Sequence, residues 1–154
     1  MSSYEDKIKE QARSYLQPGE QILAALIARA RGATMASAGN LGGNVIGGRK
    51  VVAQRRAAEG AGLKLTSPMA LAMTDQRLLV LKISPLIAMG KGGDVKELVS
   101  DVPVAAVDSI QIKRLLVGKV MTVTVRGTPV KLEVGATGDA KGMADGLARA
   151  KSAA

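Results

Sequence analysis

The sequence predicts an α+β fold in which a curved antiparallel sheet is closed by a C-terminal helix. Three observations lead to this prediction. From residue 63 onward, short apolar and β-branched runs alternate with turn residues, a pattern typical of consecutive antiparallel strands. Residues 137–154 instead repeat apolar side chains at helical spacing. Before the strands lie an N-terminal helical pattern and a Gly/Ala-rich basic insert. A sheet covered by one terminal helix is the natural packing for such a series.

The composition limits both the core and the chemistry of the protein. Of the 154 residues, 47% are hydrophobic, but none is Phe or Trp, so the core must consist of aliphatic side chains and Met. The chain also contains neither Cys nor His. Disulfides, thiolate metal sites and cysteine nucleophiles are therefore excluded, and the usual general base and commonest metal ligand are lacking. We expect a non-enzymatic protein with no cofactor and no metal site.

The N-terminal residues predict a short amphipathic helix. Glu5 and Asp6 follow Ser3 in the first turn, where the helix dipole favours acidic side chains, and the turn-forming residues 17–20 end the helix. Its apolar stripe consists of Ile8, Ala12, Tyr15 and Leu16. The next segment, residues 21–30, is an apolar run too short for periodicity to distinguish a strand from a helix. Whether it forms the first strand of the sheet stays open.

Residues 32–62 form the Gly/Ala-rich insert, and its first half could be a loop or a helix. Gly39, Gly43 and Gly47 recur every four residues, which in a helix places them on one face and lets another backbone approach closely. Each glycine inside a helix costs about 1 kcal/mol relative to alanine. A helix here would therefore require packing. A flexible loop, a close-packed helix and a membrane-contacting helix are the three interpretations.

The second half of the insert predicts a basic helix from Arg49 to Glu59, ended by Gly60 and Gly62. Its cations are Arg49, Lys50, Arg55 and Arg56. Clustered donors of this kind suit phosphate groups, and the neighbouring valines would add an apolar shoulder suited to a lipid surface. A solvated helix face is the alternative interpretation.

Turn residues divide the second part of the chain into strands. Residues 74–77 separate two apolar runs and predict a hairpin, in which Asp75 and Arg77 set the turn geometry and form a local ion pair. Two further strands flank Pro103, and residues 126–129 turn the clearest hairpin of the chain. The closing helix has an apolar face formed by Met143, Leu147 and Ala150.

A second basic cluster lies in a loop between two of these strands. Lys113, Arg114 and Lys119 flank the apolar residues 115–117. Loops at the end of such a sheet can hold anions, and a solvated turn is the alternative interpretation. The glycine-rich residues 90–94 lack the Lys-Ser/Thr ending of a phosphate-binding loop and are interpreted as a turn.

The strand motifs resemble the bacterial pleckstrin-homology-like domains, whose superfold includes the GRAM-type domains. The first hairpin motif of that family is matched by Thr74, Asp75, Arg77 and Leu78. The following motif is matched by Val102, Pro103, Val104, Val107 and Ile110. The resemblance covers residues 63–150 and implies a β-barrel scaffold for ligand binding or docking. It transfers no ligand residues to this chain. We therefore expect an N-terminal region, residues 1–62, followed by a barrel with its helix, residues 63–154.

The net charge of +9 predicts contact with anionic surfaces. We expect a docking module that binds anionic membrane lipids or a protein partner through its basic surface. The alternatives are a nucleic-acid-associated basic protein, for which stacking aromatics are lacking, and a homo-oligomer packed through the glycine face. Because no apolar run is long enough to span a bilayer, we expect a cytoplasmic protein, peripheral at the inner face of the membrane if lipids are its target.

Overall fold

A computed structural model of the chain describes residues 3–30, 43–66, 68–84, 94–116, 118–135 and 138–153, with the backbone alone at residues 3, 4, 43–51 and 153. The helices are α1 (Ser3–Ala12), α2 (Gly43–Gly60) and α3 (Ala140–Ala153). The strands are β1 (Ile22–Ala30), β2 (Met69–Thr74), β3 (Arg77–Ile83), β4 (Val95–Pro103), β5 (Val107–Arg114), β6 (Lys119–Val125) and β7 (Thr128–Val134). Two single 3-10 turns, Arg13–Tyr15 and Val104–Ala106, follow α1 and β4.

The strands form one antiparallel sheet in the order β4-β3-β2-β1-β7-β6-β5. Strand β1 is the central strand and pairs with β2 on one side and with β7 on the other. The apolar run at residues 21–30 therefore joins the sheet, which the sequence left open. Its consecutive residues Ala24, Ala25 and Leu26 are all buried, because helices cover both faces of the sheet there. An apolar run without alternation is expected under those conditions.

The sheet is strongly curved but not closed into the predicted barrel. Its edge strands β4 and β5 are joined by the three residues of a 3-10 turn. In a flat sheet seven strands wide, the two edges would be about 29 Å apart, whereas four chain steps reach about 14 Å. The edges must therefore curl towards each other. Helix α3 packs against β1, β2 and β5 and so covers the concave face, as the sequence predicts.

The two faces of the sheet carry separate hydrophobic clusters. The concave cluster combines strand residues such as Leu26 and Met121 with the predicted face of α3, and Met143, Leu147 and Ala150 are all buried. The convex cluster joins α1 to β1, β2 and β3 and contains Ile8, Ala12, Ala25, Ala70, Ala72, Leu79, Leu81 and Ile83. The predicted stripe of α1 is thereby confirmed. Strand β2 is buried along its whole length because it lies between the two clusters.

Helix α2 confirms the predicted basic helix but begins earlier, at Gly43 rather than Arg49. Gly43 and Gly47 therefore lie in a helix, whereas Gly39 lies outside the described residues. The predicted stop is confirmed, because Gly62 has a φ of +92°, a backbone conformation that favours glycine. Ala58 and Ala61 enter the concave cluster, so the C-terminal end of α2 is anchored to the body of the protein.

Candidate functional site

The candidate site is the docking hairpin, which we define as residues 112–116 and 118–120 at the β5–β6 connection. Arg114 pairs with Lys119 at the end of the ladder, and the Leu115 amide donates to the Gly118 carbonyl over 3.1 Å. Gly118 has a φ of +77°, and a Cβ there would lie 2.9 Å from the Val134 carbonyl oxygen. The turn is therefore tight and requires glycine at this position.

Apolar side chains at the tip of the docking hairpin face solvent. Leu116 is fully exposed, and Leu115 and Ile112 are each 38% exposed. Outside the hairpin, Val52 is the remaining large apolar side chain of the described residues with comparable exposure. Burying a leucine side chain stabilises a folded protein by about 1.5–3 kcal/mol. The exposed leucine at this tip does not make that contribution. Clustered exposed apolar side chains rimmed by polar ones are typical of interaction surfaces.

The structure brings the predicted cations Lys113, Arg114 and Lys119 together around this tip. Lys113 and Arg114 are exposed, whereas Lys119 is half-buried and its Nζ donates to the Gly138 carbonyl over 3.0 Å. Because side chains alternate along a strand, Arg114 and its partner Lys119 share the concave face, and Lys113 faces the opposite way. The hairpin tip is therefore both apolar and positively charged.

The cations of α2 are less completely defined. Arg56 is exposed, and Arg55 is half-buried with a buried Nε that lacks a hydrogen-bond partner among the described residues. The side chains of Arg49 and Lys50 lie outside the described residues. Anion binding by the cations of α2 therefore stays a prediction. Close packing through the face formed by Gly39, Gly43 and Gly47 stays a prediction as well.

Two hydrogen bonds orient α2 along β7. The Arg126 guanidinium donates to the Ala61 carbonyl beyond the end of the helix, and the Lys131 amide donates to Gln54 Oε1 over 2.7 Å. The helix axis therefore runs from the β6–β7 turn towards the far end of β7. Val134 at that end pairs with Lys119. The N-terminal half of α2 is thus directed towards the end of the sheet that carries the docking hairpin.

Sequence reasoning missed a buried charged group beside the β2–β3 turn. The Glu20 carboxylate accepts hydrogen bonds from Thr74 Oγ1 at 2.6 Å, from Arg77 Nε at 2.9 Å and from the Gln17 amide at 2.9 Å. Arg77 also donates to the Tyr15 carbonyl over 2.7 Å and pairs with Asp101. We call Glu20, Thr74 and Arg77 the staple.

The staple corrects the predicted local ion pair between Asp75 and Arg77. Arg77 instead pairs with Glu20 and Asp101, and Asp75 Oδ1 accepts a hydrogen bond from the Gln21 amide over 3.1 Å. Glu20 was missed because its side-chain partners, Thr74 and Arg77, lie more than fifty residues away. Its one local signal is an acid directly before an apolar run.

The Glu20 carboxyl is ionised despite its burial. Burial by itself would raise the pKa of this group, but the hydrogen bonds from Arg77, Thr74 and the Gln17 amide, together with the Arg77 charge, lower the pKa below its ordinary value. The Arg77 pKa is raised, chiefly by its hydrogen bond to Glu20. All of these contacts hold the segment before β1 against the β2–β3 hairpin, so the staple is structural.

Among the described residues, no group of three or more Asp, Glu, His or Cys side chains is arranged to hold a metal ion. None of the helices in this part of the chain is long and apolar enough to cross a membrane.

Among known proteins, matches were found to solved structures. No protein-family model matches the sequence, and no curated protein matches it. One of the similar structures is the crystal structure of a DUF1696 family protein with a pleckstrin-homology domain from Shewanella loihica PV-4. It shares 13% identity, the similarity covers 93% of this chain and 92% of that chain, and the TM-score is 0.43. This chain's own strand order and capping helix are consistent with a pleckstrin-homology-like α+β fold.

Proposed function

We propose that this protein is a non-enzymatic docking module that binds anionic membrane surfaces through the docking hairpin. The observation that carries the proposal is the fully exposed Leu116 at the tip of a tight turn, with Lys113, Arg114 and Lys119 within a few residues of it. A lipid surface accepts both kinds of group, because its interior takes the leucines and its headgroups attract the cations.

The magnitudes suit reversible peripheral binding. Each Lys or Arg near an anionic bilayer contributes about 1 kcal/mol, and each inserted leucine regains part of the roughly 1.5–3 kcal/mol that its exposure forgoes. The net charge of +9 also favours the approach, since long-range attraction to an anionic surface raises the encounter rate. The apolar and electrostatic contributions are therefore comparable, and binding requires both.

A membrane explains this site better than nucleic acid does. Proteins that bind single-stranded nucleic acid stack its bases on aromatic side chains. This chain has two Tyr and no other aromatic residue. The hydroxyl of Tyr15 donates a hydrogen bond to the Lys96 carbonyl on β4. Phosphate contacts alone would also give no role to Leu115 and Leu116.

Vesicle co-sedimentation tests the proposal. We expect the protein to bind vesicles containing phosphatidylglycerol and not neutral phosphatidylcholine vesicles, with affinity falling as salt rises. The Leu116→Ser variant should bind about tenfold more weakly, which corresponds to roughly 1.4 kcal/mol.

The matched control is Val52→Ser, which removes a similarly exposed apolar side chain from α2 and should retain wild-type affinity. Equal binding to neutral and anionic vesicles, or an equal loss in the two variants, would contradict docking through this hairpin. Salt-sensitive binding to duplex DNA in the absence of vesicle binding would favour the nucleic-acid alternative.

A further inference from the structure

We infer that Arg114 and Lys119 form a clamp for the phosphomonoester headgroup of an anionic lipid. The inference rests on the proposed function and names the headgroup that the docking hairpin would select. The two residues are direct partners in the β5–β6 ladder, so their side chains leave the same face about 4.5–5.5 Å apart at Cβ. Like charges placed directly opposite each other repel, and an anion between them removes that repulsion.

The protein itself does not neutralise this pair in the described part of the chain. Lys119 Nζ donates to the Gly138 carbonyl, which is uncharged and leaves the ammonium two further donors. The two acids near Gly138 are directed to backbone amides, since Asp139 Oδ1 accepts from the Gly142 amide and Glu5 Oε1 accepts from the Asp139 amide. Arg114 is exposed at the end of β5.

The position of the pair along the hairpin matches the depth of a headgroup. Ile112 and its partner Met121 lie next to the pair on the side away from the tip, and Leu116 lies two residues beyond Arg114 towards the tip. Because Leu116 follows the end of β5, its Cα lies at most about 7 Å from the Cα of Arg114. When Leu116 reaches the acyl boundary, the cations therefore lie at the level of the lipid phosphates.

Charge matching selects the class of headgroup. The pair carries two positive charges, and a phosphomonoester carries about −1.5 to −2 at neutral pH with three acceptor oxygens. The Arg114 guanidinium can donate two parallel hydrogen bonds to such a group, and the Lys119 ammonium can donate a third. A phosphodiester headgroup such as phosphatidylglycerol carries one negative charge and satisfies half of the pair.

The test compares two vesicle types at equal zeta potential, one containing phosphatidic acid and the other phosphatidylglycerol. We expect wild-type protein to bind phosphatidic acid vesicles about tenfold more tightly, as one added charge-assisted contact would produce. Arg114→Gln and Lys119→Gln should each abolish this preference and retain weaker binding to both vesicles. Lys119→Arg keeps the charge and should keep the preference.

Lys113→Gln is the matched control, because Lys113 lies on the same hairpin but faces the other way. It should weaken binding to both vesicle types equally. Equal wild-type affinities at matched potential, or a loss of preference in Lys113→Gln, would overturn the clamp while leaving membrane docking intact. Absence of binding to either vesicle would overturn the clamp and the proposed function together.

A soluble probe separates the lipid from a free phosphate compound. In an NMR titration, glycerol 3-phosphate should shift the amides of the docking hairpin only at millimolar concentration, because it lacks the acyl surface that receives the leucines. Binding of glycerol 3-phosphate as tight as that of phosphatidic acid vesicles would overturn the lipid assignment.

Discussion

Two hairpins of the sheet use arginine in opposite ways. Beside the β2–β3 turn, Arg77 meets the buried carboxylate of Glu20, and every arm of its guanidinium has a partner. Beside the β5–β6 turn, Arg114 faces solvent opposite another cation, Lys119. The difference teaches that the partners decide what a charge does. The paired charges at the first hairpin hold the fold together, whereas the cations at the second have no acidic partner among the described residues.

The largest expected effect comes from removing one partner of the staple. Arg77→Met should lower the free energy of unfolding by about 3–5 kcal/mol, because it leaves a buried carboxylate uncompensated. Arg114→Met should change it by no more than about 0.5 kcal/mol, as is usual at exposed sites. Urea unfolding monitored by circular dichroism measures both. Equal losses in the two variants would break the comparison between the two hairpins.

A pH series should isolate the contribution of the Glu20 carboxylate to stability. Because the folded-state pKa of Glu20 is lowered, its contribution is fully present above the ordinary value of 4.5. It disappears as the pH falls through the folded-state pKa. Between about pH 6 and about pH 3, the urea midpoint of the wild type should therefore fall more steeply than that of Glu20→Gln. Parallel curves for the two proteins would show that Glu20 is not the group responsible.

Substitutions at two glycines sharpen the comparison at the docking hairpin. Gly118→Ala should destabilise the protein by about 1–3 kcal/mol, since it combines a positive φ with a close approach to a backbone oxygen. Gly60→Ala, where a Cβ would meet nothing within 4 Å, should be neutral or stabilising by up to about 1 kcal/mol. Thermal unfolding of the two variants checks this. A stable Gly118→Ala protein would mean that the tight turn is not required.

The smallest expected effect on stability belongs to Leu116. Leu116→Ala should change the free energy of unfolding by no more than about 0.5 kcal/mol while weakening binding to phosphatidylglycerol vesicles. Leu79→Ala, at a fully buried position of β3, should cost about 2–5 kcal/mol. Urea unfolding of both variants and co-sedimentation of Leu116→Ala provide the readouts. A large loss of stability in Leu116→Ala would show that Leu116 belongs to the core.

Local patterns were sufficient to predict much of the fold and one part of the candidate site. The apolar stripe of α1, the hairpin at residues 74–77 and the buried face of α3 all follow from residue spacing, and all are found. The basic loop around Leu115 and Leu116 was also identified from composition alone. The exposure of these two leucines could not be predicted, because exposure depends on where the neighbouring strands and helices end.

The sequence by itself determined the type and order of most elements, since helical spacing, strand alternation and turn chemistry act over a few residues. Only the tertiary structure decided that β1 lies at the centre of the sheet, that the sheet stays open between β4 and β5, and that Glu20 pairs with Arg77. It also decided that Arg114 lies opposite Lys119. The physical reason is that pairing and burial depend on residues distant in the chain, and no local pattern encodes which of them will meet.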